Sequence, residues 1–109
     1  MRFVEPETVE EVVAALAADP AARCLAGGAT LVAMMNADLV EPEALVSLRR
    51  VAGLRTIVRR PDRTVEVGAM VRHATVARFE GFDGGQRIVA QAAARIGHPA
   101  VRNMGTIGG

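Results

Sequence analysis

Cysteine is almost absent from this chain, because Cys24 is the only one among 109 residues. A single cysteine excludes an intramolecular disulfide, and it excludes a metal or iron–sulfur site built from cysteines of this chain alone. Cys24 stands in the apolar run "ARCLA", where a free cysteine usually behaves as a small hydrophobe. The sequence therefore predicts a buried, unreactive Cys24.

Strong net charge, stacking aromatics and long apolar runs are lacking as well. The formal net charge is +1, and there is neither tryptophan nor tyrosine, so the usual features of a nucleic-acid-binding surface are missing. No stretch approaches the about 20 apolar residues of a membrane span, and "MRFVEPETVEEV" has no apolar signal core. We expect no nucleic-acid partner, no membrane span, no metal site and a cytoplasmic location.

The first half of the chain alternates predicted strands and helices. "RFVEP" predicts a short strand, and Thr8 and Glu11 have the spacing of a capping box. A helix follows, with apolar residues at helical spacing, and it stops at Asp19-Pro20. "ARCLAGG" predicts a buried strand, "TLVAMMNADL" a helix, and "EALVSL" a second buried strand. This order favours a small α/β unit with parallel pairing.

The second half begins with a predicted hairpin, in which "LRTIVRR" and "TVEVGAM" flank "PDR". "VRHATVARF" predicts a short helix, and "GFDGGQ" a flexible break. "QRIVAQAAARIG" predicts a further helix, with Gly97 as its C-terminal cap. The remainder, "HPAVRNMGTIGG", is predicted to be a loop.

Two glycine pairs are the candidate binding elements. In "LAGGATLVAMM", Gly27-Gly28 join a strand to a helix, so backbone N–H groups and the helix dipole favour an anion there. The Thr30 hydroxyl would add a hydrogen bond. The string lacks the lysine of the phosphate loop and the third glycine of the dinucleotide fingerprint, so a plain tight turn remains an open alternative. "GTIGG", residues 105–109, has the same character, and the two loops together would face one diphosphate from two sides.

The remaining polar candidates are weaker. His98 precedes Pro99 and is predicted to be extended and structural, while His73 is predicted to be solvated or to cap a helix. Arg102 offers a charged donor to phosphate or serves the surface. Met34, Met35 and Met70 are predicted to fill the core. No residue of this chain is predicted to be catalytic.

Four strings resemble the FAD-binding, medium subunit of the molybdenum hydroxylases, the family of carbon monoxide dehydrogenase and xanthine dehydrogenase. They are "LAGGATLVAMM", "LVSLRRVAGLRTI", "VEVGAMVRHATV" and "AARIGHPAVRNMGTIGG". The resemblance is collinear from Arg2 to Gly109, and the last string is the most distinctive of the four. The chain is identified as similar to the N-terminal part of such a subunit.

The resemblance implies a fold, a cofactor and partners. It implies an α/β (α+β) fold of the PCMH type: a small parallel-stranded α/β subdomain at 1–54, then the start of a second, antiparallel subdomain at 55–109. It implies FAD, with electrons passing from iron–sulfur clusters through FAD to an external acceptor. A molybdopterin-binding large subunit and an iron–sulfur small subunit would be the partners. The implied FAD contacts are Ala26, Gly27, Gly28, Ala29, Thr30, Leu31, Thr106, Ile107, Gly108 and Gly109.

The chain also departs from the family pattern. Ser47 replaces a frequent aspartate, Asn36 replaces a lysine or arginine, and the sequence stops inside the second loop, so we expect a fragment whose exposed sheet edges would allow self-association. The alternative function is a truncated, non-catalytic module that keeps the fold but does not hold FAD by itself. A third possibility is the group related to vanillyl-alcohol oxidase, which often attaches flavin through His or Cys, an arrangement that Cys24 and His98 do not match.

Overall fold

A parallel sheet of three strands forms the first part of the structure. The computed structural model describes residues 2–39 and 41–109, without the side chains of residues 29, 30 and 33. Strands β1 (Arg2–Val4) and β2 (Ala22–Leu25) both pair in parallel with β3 (Ala44–Ser47), which lies between them. All four residues of β3 are buried. The predicted α/β alternation and parallel pairing are confirmed.

Two helices connect these strands, as predicted. Helix α1 (Val9–Ala18) begins at Thr8, whose hydroxyl accepts a hydrogen bond from the Glu11 N–H at 3.1 Å. The Glu11 carboxylate accepts from the Glu7 N–H rather than from that of Thr8, so the capping box is displaced by one residue. Helix α2 (Ala29–Asn36) begins directly after the first glycine pair.

The first core lies between α1 and the parallel sheet. Its buried side chains come from α1, from the strands and from the segment after β3, namely Val12, Ala22, Ala44, Val46, Leu48 and Val51. Met70, from the second half of the chain, packs against this cluster. Its predicted role as a core residue is therefore confirmed.

The predicted hairpin is also present. Strands β4 (Ile57–Arg59) and β5 (Val65–Val67) are antiparallel, with Val58 opposite Glu66. The turn between them is closed by the Arg60 N–H, which donates to the Thr64 carbonyl at 2.8 Å. A second core of Val71, Val76, Phe82 and Ala93 packs against the hairpin and the helices that follow it.

Three short helices complete the chain: α3 (His73–Arg78), α4 (Arg87–Ala93) and α5 (Pro99–Met104). The flexible break predicted at "GFDGGQ" is wrong, because residues 84–86 form a 3₁₀ turn in which Asp83 and Gln86 cap each other. The loop predicted over residues 98–109 is wrong for residues 99–104, which form α5, whereas residues 105–109 lie outside any helix. Pro99 is at the start of α5, where its fixed φ and missing N–H are compatible with a helix.

Helix α4 ends earlier than predicted. The Arg95 N–H donates to the Ala92 carbonyl, so the last turn tightens and the helix stops four residues before Gly97. Gly97 has a φ of +54°, and a Cβ there would lie 3.2 Å from the Val101 Cβ. The turn into α5 therefore favours a residue without a side chain at position 97, and the predicted role of Gly97 as the cap of α4 is wrong.

None of the helices described within residues 2–39 and 41–109 is long and apolar enough to cross a membrane. Strands β1 and β2 form the two edges of the parallel sheet. Self-association through sheet edges stays a prediction, as does the division of the chain at residue 54.

Candidate functional site

The first glycine loop follows the carboxyl end of β2. Gly28 immediately precedes α2, and its carbonyl accepts the hydrogen bond of the Val32 N–H at 2.9 Å. The φ of Gly28 is +82°, a conformation that L side chains rarely adopt. Gly28 is thus required by the backbone turn between the strand and the helix.

The second glycine loop is held against residues 69–72. The Ile107 N–H donates to the Val71 carbonyl at 3.0 Å, and the Gly108 N–H donates to the Ala69 carbonyl at 2.8 Å. Arg72 and Thr106 form an isolated antiparallel bridge. These backbone bonds fix the position of the second loop relative to the rest of the chain.

The two loops are in direct contact, although 79 residues separate Gly27 from Thr106. The Gly27 N–H is within hydrogen-bond distance of the Thr106 Oγ (3.1 Å) and of the Gly109 carbonyl (2.5 Å). The Gly28 N–H donates to the same carbonyl at 3.2 Å. Thr106 is buried, and its hydroxyl also donates to the Gly109 carbonyl at 3.0 Å. The buried Thr106 hydroxyl therefore bonds both to the first loop, at Gly27, and to the end of its own loop, at Gly109.

Gly27 is the point of closest approach. A Cβ at this position would lie 2.7 Å from the Met104 carbonyl oxygen, 2.9 Å from the Thr106 nitrogen and 3.1 Å from the Gly109 carbonyl oxygen. Real Cβ contacts under 3.0 Å are essentially never observed. The two adjacent glycines thus have different roles: Gly28 permits the turn, and Gly27 permits contact between the loops.

The loops touch each other, so the space between them is filled by their own hydrogen bonds. The first N–H groups of α2, directly after the first loop, have no partner within the helix. Leu31, Gly108 and Gly109 border a cavity of about 220 Å³ together with Cys24. Ile107 lies elsewhere, in an apolar groove beside His73 and Ile88. The side chains of Ala29 and Thr30, including the Thr30 hydroxyl, lie outside the described part of the structure.

A larger cavity of about 450 Å³ also adjoins the loops. It lies at the carboxyl ends of the parallel strands, the usual location of ligand sites in open α/β sheets. Its wall includes the predicted residues Ala26, Gly27 and Thr106, and also Arg49, Arg55 and Arg72. These arginines are not among the residues predicted from the sequence. Arg55 and Arg72 are placed there by the hydrogen bonds of residues 54 and 56 with 70 and 68, and by the bridge of residue 72 with 106.

The other predicted polar residues have structural environments. Arg102 donates to the carbonyls of Ile96 and Gly97, both at 3.2 Å, so its guanidinium binds the turn before α5. His98 is the extended residue that precedes α5, as predicted. His73 begins α3, but the prediction of a solvated or capping side chain is wrong, because its Nδ1 is buried beside Gly105 with no hydrogen-bond partner among the described residues.

Cys24 is exposed, so its predicted burial is wrong. The reason is the position of β2, which is an edge strand paired on one side only. Partial burial of the sulfur nevertheless raises the pKa of the Cys24 thiol above its ordinary value. Within residues 2–39 and 41–109, no group of three or more His, Cys, Asp or Glu side chains is placed to hold a metal ion.

The chain is similar to subunits of several dehydrogenases. It is 39% identical over 108 residues to the 6-hydroxypseudooxynicotine dehydrogenase complex subunit alpha of Paenarthrobacter nicotinovorans, covering 98% of this chain and 36% of that protein. It is 38% identical over 105 residues to the carbon monoxide dehydrogenase medium chain of Hydrogenophaga pseudoflava, covering 95% of this chain and 36% of that one. The chain thus spans just over a third of the length of these relatives.

Comparison of structures gives the same result. A solved carbon monoxide dehydrogenase of Hydrogenophaga pseudoflava superimposes with a TM-score of 0.91 at 35% identity, covering 100% of this chain and 38% of that one. Residues 1–109 match the family described as "FAD binding domain in molybdopterin dehydrogenase". The fold, the two glycine loops in contact and these matches together show that the chain belongs to the family of FAD-binding domains of molybdopterin dehydrogenases.

Proposed function

We propose that this chain binds FAD and serves as part of the medium, electron-transfer subunit of a molybdopterin-dependent dehydrogenase. The observation that carries the proposal is the contact between the two glycine loops at Gly27, within a chain that matches the FAD-binding family over residues 1–109. The relatives supply the reaction class, since they are named as dehydrogenase subunits.

The residues present fit a dinucleotide diphosphate. The N-terminus of α2 offers N–H donors and the positive end of a helix dipole beside the point where Gly27 lets the two loops meet. Thr106 holds the second loop against the first. In this proposal the backbone of residues 26–31 and 106–109 binds the diphosphate at the rim where the loops meet.

FAD, when bound, supplies the capacity to accept electrons and to pass them to an external acceptor. The role of this chain is to hold and orient the diphosphate through its backbone N–H groups. It has one cysteine, fewer than the four that a cysteine-ligated iron–sulfur cluster needs. We therefore assign the clusters to a small partner subunit and the molybdopterin to a large one. The cytoplasmic location stays a prediction.

Titration with FAD and riboflavin tests the proposal, because riboflavin has the same ring system but no diphosphate. We expect saturable binding of FAD, measured by the quenching of flavin fluorescence, and much weaker binding of riboflavin. Gly27→Ala should abolish the binding, while Gly85→Ala should preserve it, because a Cβ at Gly85 meets nothing within 4 Å. Absence of FAD binding by the unmodified chain would contradict the proposal and favour the non-catalytic module.

A further inference from the structure

We propose that a basic face of this chain, formed by Arg49, Arg55, Arg72, Arg78 and Arg102, docks an acidic surface of a partner subunit. The inference rests on the proposed function, which requires partner subunits, and it adds the chemistry by which one of them is recognised. It assigns these arginines to the partner and leaves the diphosphate to the backbone of the glycine loops.

The basic face is continuous across three cavities. Besides the cavity of about 450 Å³, there are cavities of about 330 Å³ and about 310 Å³, both bordered by helix α3. Arg55 lines the first and the third, Arg78 the second and the third, and Asn103 the first and the second. Because each pair of cavities shares a residue, the five arginines border one continuous surface.

The charge of this surface is unbalanced. Among the described residues that line the three cavities, Glu5 is the only acidic one, and its carboxylate lies 3.4 Å from Arg50 and 3.9 Å from Arg49. Residues 55–109, which supply most of the basic face, contain nine arginines and four acidic residues. Because the formal net charge of the whole chain is only +1, positive charge is concentrated on this side of the molecule. Such a concentration attracts and orients an acidic partner.

The other eight arginines of the chain have different surroundings. Four of them form ion pairs, namely Arg2, Arg50, Arg59 and Arg60. In the part of the chain that the structure describes, the remaining four line only the smaller cavity or none of the five cavities, namely Arg23 and then Arg63, Arg87 and Arg95. The basic face is thus distinguished by the gathering of its arginines around adjoining cavities, and not by the absence of ion pairs.

Exposed apolar side chains lie on the same surface. Phe3 is 57% exposed and Met104 is 63% exposed, and both line the cavity of about 450 Å³. Protein–protein interfaces are enriched in arginine, methionine and aromatic residues and depleted in lysine, glutamate and aspartate. A nucleic acid would instead stack its bases on aromatic side chains, and the chain has neither tyrosine nor tryptophan. The composition of the face therefore favours a protein partner with acidic and apolar side chains.

The basic face adjoins the glycine loops without closing the smaller cavity. Gly27 and Thr106, through which the two loops contact each other, line the cavity of about 450 Å³. Gly28, Gly108 and Gly109 instead border the cavity of about 220 Å³, which has none of the five arginines in its wall. A partner on the basic face would lie directly beside the loops to which we assign FAD. A subunit that exchanges electrons with FAD has to occupy such a position.

Fluorescence anisotropy with three labelled probes tests the proposal. The probes are a peptide of Glu-Glu-Glu-Leu repeats, the matched peptide of Glu-Glu-Glu-Ser repeats and a single-stranded DNA of equal charge. We expect the leucine peptide to bind most tightly to the unmodified chain, and we expect its binding to weaken between about 0.01 M and about 0.15 M ionic strength.

Two double variants of equal net charge provide the matched comparison. Arg55→Gln combined with Arg78→Gln should raise the Kd for the leucine peptide by about tenfold relative to Arg63→Gln combined with Arg95→Gln. Met104→Ser should raise the Kd for the leucine peptide by about fivefold and leave that for the serine peptide unchanged. Both double variants should bind FAD as the unmodified chain does, because the diphosphate is assigned to backbone groups.

The outcomes separate this inference from the proposed function. Equal binding of the leucine peptide to the two double variants would overturn the docking surface, as would the absence of saturable binding to the unmodified chain. Tighter binding of the DNA than of the leucine peptide would replace the protein partner with a nucleic acid. A chain that binds the peptides as expected, but binds no FAD, would contradict the proposed function and support the docking surface.

Discussion

Replacing Gly27 with alanine probes the contact that joins the two loops. The new Cβ would lie 2.7 Å from the Met104 carbonyl oxygen, and that oxygen would have to move by about 0.7 Å to reach the 3.4 Å of ordinary contact. Overpacking of this kind costs about 1–3 kcal/mol. The same movement would weaken the hydrogen bonds of the Gly27 N–H, at about 0.5–1.5 kcal/mol each. We expect the free energy of unfolding to fall by about 2–4 kcal/mol, with loss of FAD binding.

Two other glycines provide matched controls. Gly28→Ala adds strain at a φ of +82°, but the nearest atoms to its Cβ are the ends of flexible side chains; it should cost about 1–2 kcal/mol. Gly85→Ala has open space and an ordinary φ, and should be neutral or stabilising by less than about 1 kcal/mol.

Urea denaturation of the three variants measures these differences directly. The expected order of destabilisation is Gly27→Ala, then Gly28→Ala, then Gly85→Ala. A destabilisation by Gly27→Ala within about 0.5 kcal/mol of that by Gly85→Ala, the size of an ordinary surface effect, would refute the close approach of the two loops at Gly27.

Three further predictions concern single side chains. Thr106→Val removes a buried hydroxyl that accepts from Gly27; it should lower the free energy of unfolding by about 1–3 kcal/mol, and Thr106→Ser should restore most of it in the same urea assay. Because burial raises the pKa of the Cys24 thiol, alkylation of Cys24, monitored by mass spectrometry, should be slower in the folded than in the urea-unfolded chain near neutral pH. The contribution of this pKa shift to stability is complete below the pKa of the unfolded chain and is lost as the pH rises through the pKa of the folded chain. The hydroxyl and N–H of Thr64 lower the pKa of Asp62, so Thr64→Val should raise that pKa in an NMR titration; an unchanged pKa would contradict the assigned cause.

The sequence predicted most of the fold, because the first half carries strong local signals. Helix α1 has a cap at Thr8, apolar residues at helical spacing and a stop at Asp19-Pro20, and all three act within a few residues. Helix α5 was missed, although Pro99 at its start is a helix signal. A helix of six residues depends on tertiary contacts rather than on propensity.

The candidate site was only partly predictable. Two glycine pairs with threonines indicated two loops of similar character, and the structure places Gly27 against Thr106 and Gly109. The roles of Gly27 and Gly28 could not be separated from the local sequence. The role of Gly28 depends on its backbone φ, and that of Gly27 depends on contact with atoms of residues at least 77 positions further along the chain. Arg55 and Arg72 were not found for the same reason. Cys24 was misplaced because an apolar run does not reveal that its strand lies at a sheet edge.

The most direct test of the central claim is a ¹H–¹⁵N NMR titration of the chain with FAD. The account predicts that the largest amide shifts fall on residues 26–31 and 106–109, and that riboflavin without its diphosphate leaves these amides nearly unchanged. Shifts confined to other segments, or equal shifts with both flavins, would contradict the assignment of the two glycine loops to the diphosphate.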